Sequence, residues 1–533
     1  MNRAGQSSNP APSANVADRV LVQAARHPSR VALVIAGERD ETVTYADLAR
    51  RIASFSGGLA REGFREGDRV ALLFPLCVDF YALSLAVLAR GATVVLMDGA
   101  LGLRRTLVAL RVSRARAIVS VRAALRLWPV LPATWRLARF SADDAPMGTR
   151  PLASLRADDA VDESPVARGP DDEGLITFTS GSSGRPKGVD RTHGLLVAQH
   201  EALRVEFPDA DDDVDMPCFP AVALHNLCCG ITTVIPPLDL RRPATSLVPE
   251  RVLDAMGRWA VTRLSGAPAY MNRLVSAIAP GDPRAAKVRG LVVGGAPVPR
   301  RLCTAILRRF DRADARVAYG STEAEPIATV SMHDVADSHG DGYLVGDVAS
   351  VAHVELVTLP PIAPPLGPGG LVPHRSPDGE SGEVVVSGAH VNRRYIGDEE
   401  ATQRLKMRAE DGTVWHRTGD LATRDARGRL WLTGRTGDVV PHGGGKVLPY
   451  VVEADVDEIE GVDRAALVAD ARGACLALTV RAESAPDAVV ARVKAALERR
   501  NLGDVPVRVL GEVAVDARHQ SKIDRAAVRA ALR

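Results

Sequence analysis

The sequence predicts an α/β protein, and two observations carry the prediction. Short apolar runs of strand length alternate with stretches whose apolar residues recur at helical spacing, the pattern of parallel sheet covered by helices. The composition is that of a folded chain, with 46% hydrophobic and 25% charged residues among 533, far from the signature of disorder. At about 150 residues per domain, this length sets a prior of roughly two to four domains.

Taken in order, residues 1–18 lack an apolar core of signal-peptide kind and read as a disordered arm. Over residues 44–63, Tyr45, Leu48, Ile52, Phe55 and Leu59 share one helical face. Thr44 can cap the first turn, Asp47 suits its positive end, and Gly63 can stop it. Residues 69–74 read as a buried strand, Val78–Ala89 as a helix, and 93–97 as the next strand. Residues 141–174, acidic and rich in Asp, Pro and Ala, predict a surface connection. The pattern resumes with strands at 175–178 and 291–293, a helix at 299–310 and a strand at 315–319. Many Pro and Gly over 359–382 predict a loop before a strand at 383–387, and residues 437–533 suffice for a further small α/β domain.

The same counts exclude functions. Lys and Arg number 67 against 65 Asp and Glu, a net charge of +2, too weak a field to gather nucleic acid or an anionic membrane. Aromatics at 4% argue against base-stacking platforms. The richest apolar stretch, 80–88, is too short to span a bilayer and stops at Arg90. Cys77, Cys218, Cys228, Cys229, Cys303 and Cys475 form no CxxC pair and no Cys/His ligand spacing, so the sequence predicts neither a disulfide framework nor a zinc site. A cytoplasmic protein is expected, without a transmembrane segment or a nucleic-acid partner.

Chemistry concentrates in a few strings. Thr177-Phe178-Thr179-Ser180-Gly181-Ser182-Ser183-Gly184-Arg185-Pro186-Lys187-Gly188 follows an apolar strand. Small residues let main-chain N–H groups approach an anion, while hydroxyls and Lys187 add donors and charge. Gly188 follows the lysine where a Walker A loop needs Ser or Thr. His225 closes the apolar run 219–225, and Gly294-Gly295-Ala296-Pro297 follows a strand. Tyr319-Gly320-Ser321-Thr322-Glu323 joins an aromatic face, hydroxyls and a hard oxygen ligand suited to Mg²⁺. Asp420 can accept from two hydroxyls, and Arg435 can donate to them or to phosphate. Lys522 supplies a cation near the C-terminus. Taken singly, the Ser/Gly run reads as a surface turn, His225 as a core histidine, Asp420 or Arg435 as half of a surface salt bridge, and Lys522 as part of an exposed basic helix.

In this order the strings resemble the adenylate-forming (acyl-CoA synthetase, AMP-binding) superfamily over roughly residues 20–530. The stretch 218–220 and the ending Arg518-His519-Gln520-Ser521-Lys522-Ile523 are similar to its olefin-biosynthesis β-lactone synthetase branch. The resemblance implies a large AMP-binding domain, 19–435, of parallel-sheet lobes and a small β-rich lobe. It then implies a hinge at 435–437 and a mobile α/β domain, 436–533. ATP and Mg²⁺ are implied, with CoA as co-substrate. Thr179, Ser180 and Lys187 would hold the leaving phosphates, with Gly181, Ser182, Ser183 and Gly184 in the same cofactor-binding loop. Gly295, Ala296, Pro297 and Tyr319 would face adenine, Thr322 would bond a phosphate oxygen, Gly320 and Ser321 would belong to the same nucleotide site, and Asp420 and Arg435 would hold the ribose. Glu323, with Thr179, would hold the metal, His225 would gate the acyl pocket, and Lys522 would bridge the carboxylate and the α-phosphate.

The resemblance implies that a carboxylic acid, fatty or 3-hydroxy fatty, reacts with Mg·ATP to give acyl-AMP and pyrophosphate. Transfer to CoA or an acyl carrier protein is the superfamily default, and Gly443-Gly444-Gly445 could give a pantetheine arm close passage to backbone. The family's usual pattern is degraded after Arg435, at 436–446, in a segment that serves the thiol half-reaction of CoA ligases. Residues 189–194 and Gly346-Asp347 also depart from it. The rival is attack by the substrate's own 3-hydroxyl, closing a β-lactone. A non-catalytic nucleotide-binding paralogue is a third reading, disfavoured by retention of both Glu323 and Lys522.

Overall fold

The computed structural model describes residues 13–97, 102–157, 164–179, 185–238, 246–362, 366–367, 369–470, 473–516 and 521–533. Strand and helix alternate as the sequence predicts, and they build two large sheets. In one, Thr232–Ile235, Val214–Pro217, Arg263–Gly266, Gly290–Gly294 and Asp314–Ser321 run parallel as spatial neighbours. Asp314–Ser321 then turns back into the antiparallel Ala324–Ser331, which carries the same sheet on to Tyr343–Val348, Leu430–Arg435, Val414–Arg424 and Gly382–Ser387. The β-rich lobe is thus a continuation of a parallel sheet.

In the other sheet, Glu173–Thr179, Thr93–Leu96, Arg69–Leu73 and Ala117–Ser120 run parallel, and Glu173–Thr179 folds back antiparallel onto Lys187–Thr192. Strands buried on both faces read as unbroken apolar runs, which is why these are legible in the sequence.

Helix Tyr45–Arg61 starts at a capping box: the Thr44 hydroxyl accepts from Asp47 N–H, and the Asp47 carboxylate accepts from Thr44 N–H. It buries Tyr45, Leu48, Ile52, Phe55 and Leu59 on the expected face. Two expectations change. Residues 141–174 are not wholly a surface connection, because Leu152 and Leu155 are buried beneath that helix. A Cβ on Gly58 would lie 1.6 Å from the Leu155 carbonyl oxygen, so only glycine admits this contact. The expected arm at 1–18 is held at its inner end. Asn15 is buried, donates to the Leu88 and Val166 carbonyls, and caps helix Val16–Arg26.

The C-terminal region forms its own sheet, Val462–Asp470, Gly473–Val480 and Val507–Val509. Its core includes Val452, Leu467, Leu476, Val493 and Leu497. Helix Arg525–Ala531 is fixed there by the buried Arg525, whose guanidinium donates to both oxygens of Glu453 at 2.6 and 2.9 Å. Polar contacts tie this unit to the rest of the chain. The Tyr343 hydroxyl donates to Asp457 at 2.7 Å, the Arg301 guanidinium donates to the Asp463 carbonyl at 2.6 Å, and Ala269 N–H donates to the Ser521 hydroxyl at 3.1 Å. Among the described residues, no helix is long and apolar enough to cross a membrane.

Candidate functional site

Two neighbouring parallel strands, Gly290–Gly294 and Asp314–Ser321, end on the same side, where open α/β sheets place their ligands. At the first end Gly295 has φ +85°, and a Cβ there would sit 3.5 Å from the Phe219 ring. Gly295, Ala296 and Pro297 form a half-buried turn. At the second end Ser321 pairs with Ala324, leaving Thr322 and Glu323 in a tight turn. Gly320 permits that turn, since a Cβ would meet the Ala324 carbonyl oxygen at 3.0 Å. Tyr319, buried at the strand end, donates from its hydroxyl to Asp420 Oδ2 at 2.9 Å. The other Asp420 oxygen lies 3.0 Å from Arg435 Nε, because the two residues are directly opposed in the strand pairing. The Asp420 charge raises the Arg435 pKa.

Glu323 is held from two directions. Its Oε1 accepts from the Tyr395 hydroxyl at 3.1 Å, and its carbonyl accepts from Asn392 N–H at 2.8 Å. Lys187, opposite Thr179 in register, places Nζ 5.5 Å from the centre of the Tyr395 ring, and Lys406 places its own at 5.2 Å. Both lysines are buried. Burial lowers the Lys187 pKa, as does Arg404, against Glu323. Burial also brings Lys406 down to about 7, with Glu323 opposing. Ser321 Oγ and Lys406 Nζ have no hydrogen-bond partner among the described residues.

Lys522 reaches the same cleft from the C-terminal unit. Its side chain is exposed. Loss of hydration lowers its pKa, Arg435 adds to that, and Asp420, Asp516 and Glu323 oppose it. Asp516 holds its backbone: Lys522 N–H donates to the carboxylate at 2.9 Å, and Asp516 N–H donates to the Lys522 carbonyl at 2.8 Å. His225 lies on helix Pro220–Cys229, with Nδ1 3.0 Å from His200 Nδ1. Ser180, Gly181, Ser182, Ser183 and Gly184, and also Arg518 and His519, lie outside the described residues.

The fold therefore brings Lys187, Tyr319, Ser321, Glu323, Asp420, Arg435 and Lys522 to one cleft from far-apart segments. Tyr395 and Lys406 join them, and the sequence gives no local sign of either: Lys406 sits between Leu405 and Met407 like any surface lysine. Cations gathered around one carboxylate, with Lys406 Nζ and Ser321 Oγ without a partner among the described residues, suit a polyphosphate carrying a divalent ion.

The model of the family described as AMP-binding enzyme matches residues 20–396. The chain belongs to the AMP-binding enzyme family. Such an enzyme is an adenylate-forming ligase. This one is 33% identical over 483 residues to an olefin β-lactone synthetase of Xanthomonas campestris pv. campestris, covering 85% of this chain and 84% of that protein. It is 32% identical over 436 residues to a feruloyl-CoA synthase of an Amycolatopsis species, with 80% of each covered. The amide bond synthetase McbA from Marinactinospora thermotolerans shares the fold, with a TM-score of 0.79 at 24% identity over 98% of this AMP-binding enzyme and 100% of that chain.

Proposed function

We propose that this enzyme activates a 3-hydroxy carboxylic acid as its acyl-AMP and closes it to a β-lactone. The observation that carries the first half is the meeting of Lys522, from the C-terminal unit, with Glu323, Asp420 and Arg435 in one cleft. A carboxylate attacking an α-phosphate is anion meeting anion. Lys522 would bridge the two, and the charge that builds as the new P–O bond forms and pyrophosphate leaves would fall on a fixed cation. Thr179, Lys187 and Lys406 would hold the departing phosphates, Tyr319 adenine, and Asp420 with Arg435 the ribose. Mg²⁺, held by Glu323 and Thr179, would neutralise phosphate charge.

In the second half, the substrate's 3-hydroxyl oxygen attacks the activated carbonyl carbon. The C–O bond to AMP breaks, AMP leaves with the former carboxylate oxygen, and the hydroxyl proton goes to solvent. The nucleophile is already on the substrate, at high effective molarity, so no second substrate is required. The likeness to an olefin β-lactone synthetase supports this reading. The triple glycine that could favour a thiol route has a simpler cause. Gly443 and Gly444, at φ +57° and +76°, make the hairpin turn that pairs His442 with Gly445.

Transfer to CoA is the second reading, favoured by the comparable likeness to a feruloyl-CoA synthase. We further propose the units 19–435 and 436–533, with rotation about 435–437 between the two half-reactions. Incubating the enzyme with Mg·ATP and a 3-hydroxy fatty acid, with and without CoA, tests the reading by product mass. Loss of one water from the acid with AMP release in the absence of CoA is expected. Acyl-CoA formed only when CoA is present would replace it with the thioester reading.

A further inference from the structure

A cluster of soft ligands lies between two helices. Helix Pro220–Cys229 presents His225 and Cys229 one turn apart on the same face. Helix His193–Glu206 brings the buried His200 against them. His200 Nδ1 is 3.0 Å from His225 Nδ1, and Cys229 Sγ is 3.5 Å from His225 Nε2. One donor atom from each of the three residues falls within 4.8 Å of the others. Burial raises the Cys229 pKa, and the charge of the nearby Asp209 adds to that. His225 and Cys229 are only partly covered, which leaves an ion a way in.

We propose that His200, His225 and Cys229, with Asp209 beside them, bind one Zn²⁺-like transition-metal ion. Zinc takes nitrogen at about 2.0–2.1 Å and thiolate sulfur at about 2.3 Å, so tetrahedral donors stand roughly 3.3–3.6 Å apart. His225 meets His200 through Nδ1 and Cys229 through Nε2, and one ligand atom from each residue lies within 4.8 Å of the others, so the three donors must draw together around the ion. Charge balances as well: two neutral imidazoles and one thiolate meet the divalent ion, and the Asp209 carboxylate beside them offsets its remaining charge. Binding breaks the S–H bond of Cys229, forms a metal–sulfur bond and releases the proton to solvent. Burial already favours neutral rings, holding the His200 pKa at about 4 and that of His225 well below its ordinary value. Arg204, 3.6 Å from Asp209, competes for that carboxylate. A linear search for ligand spacing does not find the site, because His200 comes from a different helix.

The test uses the reduced full-length chain, stripped of metal and titrated with Co²⁺ in the absence of nucleotide. The expected result is a thiolate-to-cobalt charge-transfer band saturating at one ion per chain. Zn²⁺ should displace the cobalt and be retained on dialysis, as read by elemental analysis. Cys229→Ser and His200→Ala should each weaken binding by more than about 10²-fold, the upper range for loss of a mere supporting contact. Cys475→Ser, far away in the C-terminal sheet, should leave the titration unchanged, and circular dichroism checks that every variant is folded. Absence of the band in the wild-type protein, or its survival in folded Cys229→Ser, would overturn the proposal.

Discussion

Asp420 stands directly opposite Arg435 in the strand pairing, with its second carboxylate oxygen taken by the Tyr319 hydroxyl at 2.9 Å. One acid thus joins the end of a parallel strand to the last strand before the C-terminal unit. Replacing it by Asn keeps the shape, removes the charge and leaves Arg435 without its partner. Asp420→Asn should weaken ATP binding by about 10- to 100-fold, the worth of hydrogen bonds to a charged acceptor. Calorimetric titration of the nucleotide measures this, and unchanged affinity would remove Asp420 from the nucleotide site.

Lys522 acts, in this account, on charge that exists only as the reaction proceeds. Lys522→Ala should slow single-turnover acyl-AMP formation by ~10²–10³ while leaving ATP affinity nearly intact. Wild-type rates in the variant would take Lys522 out of the chemistry.

The segment that presents Lys522 is anchored by Arg525 and Glu453, a buried bidentate pair to which Leu467 N–H adds a third bond at 2.7 Å. Arg525→Met strands a buried carboxylate and should destabilise the protein by about 3–5 kcal/mol. Arg525→Met with Glu453→Leu should recover much of that loss. Chemical denaturation of the three proteins decides it, and a double variant no better than the single would show that the charge imbalance is not the cause.

Docking of the C-terminal unit carries a pH dependence. Burial raises the Asp457 pKa to about 6, against the Arg301 charge and the Tyr343 hydrogen bond. The folded protein therefore binds an extra proton between the unfolded value of about 4 and pH 6. Stability from this group is full below that window and is lost as pH rises through 6. Asp457→Asn should flatten melting temperature against pH between 4.5 and 6.5. A slope equal to that of the wild type would assign the effect to another group.

The parallel strands and the first long helix are legible in the sequence because each is a local pattern: an apolar run, or apolar residues on one face behind a cap. The candidate site is legible where residues cluster along the chain, as in 319–323. Lys406 and Tyr395 are not, because what distinguishes them is burial against Glu323, and that contact is made by strands far apart in the chain. Leu155 under Gly58 is hidden for the same reason, its neighbours in sequence being polar. His200 beside His225 is likewise a product of helix packing alone.

Tracing oxygen tests the central claim, that a carboxylate attacks the α-phosphate in the cleft shared by Lys522, Glu323 and Asp420. The enzyme is given Mg·ATP and a 3-hydroxy acid labelled with ¹⁸O in its carboxylate, and the released AMP is weighed by mass spectrometry. The account predicts one ¹⁸O atom in each AMP, since the bridging oxygen of the acyl-AMP leaves with the nucleotide. AMP that carries no label would contradict it.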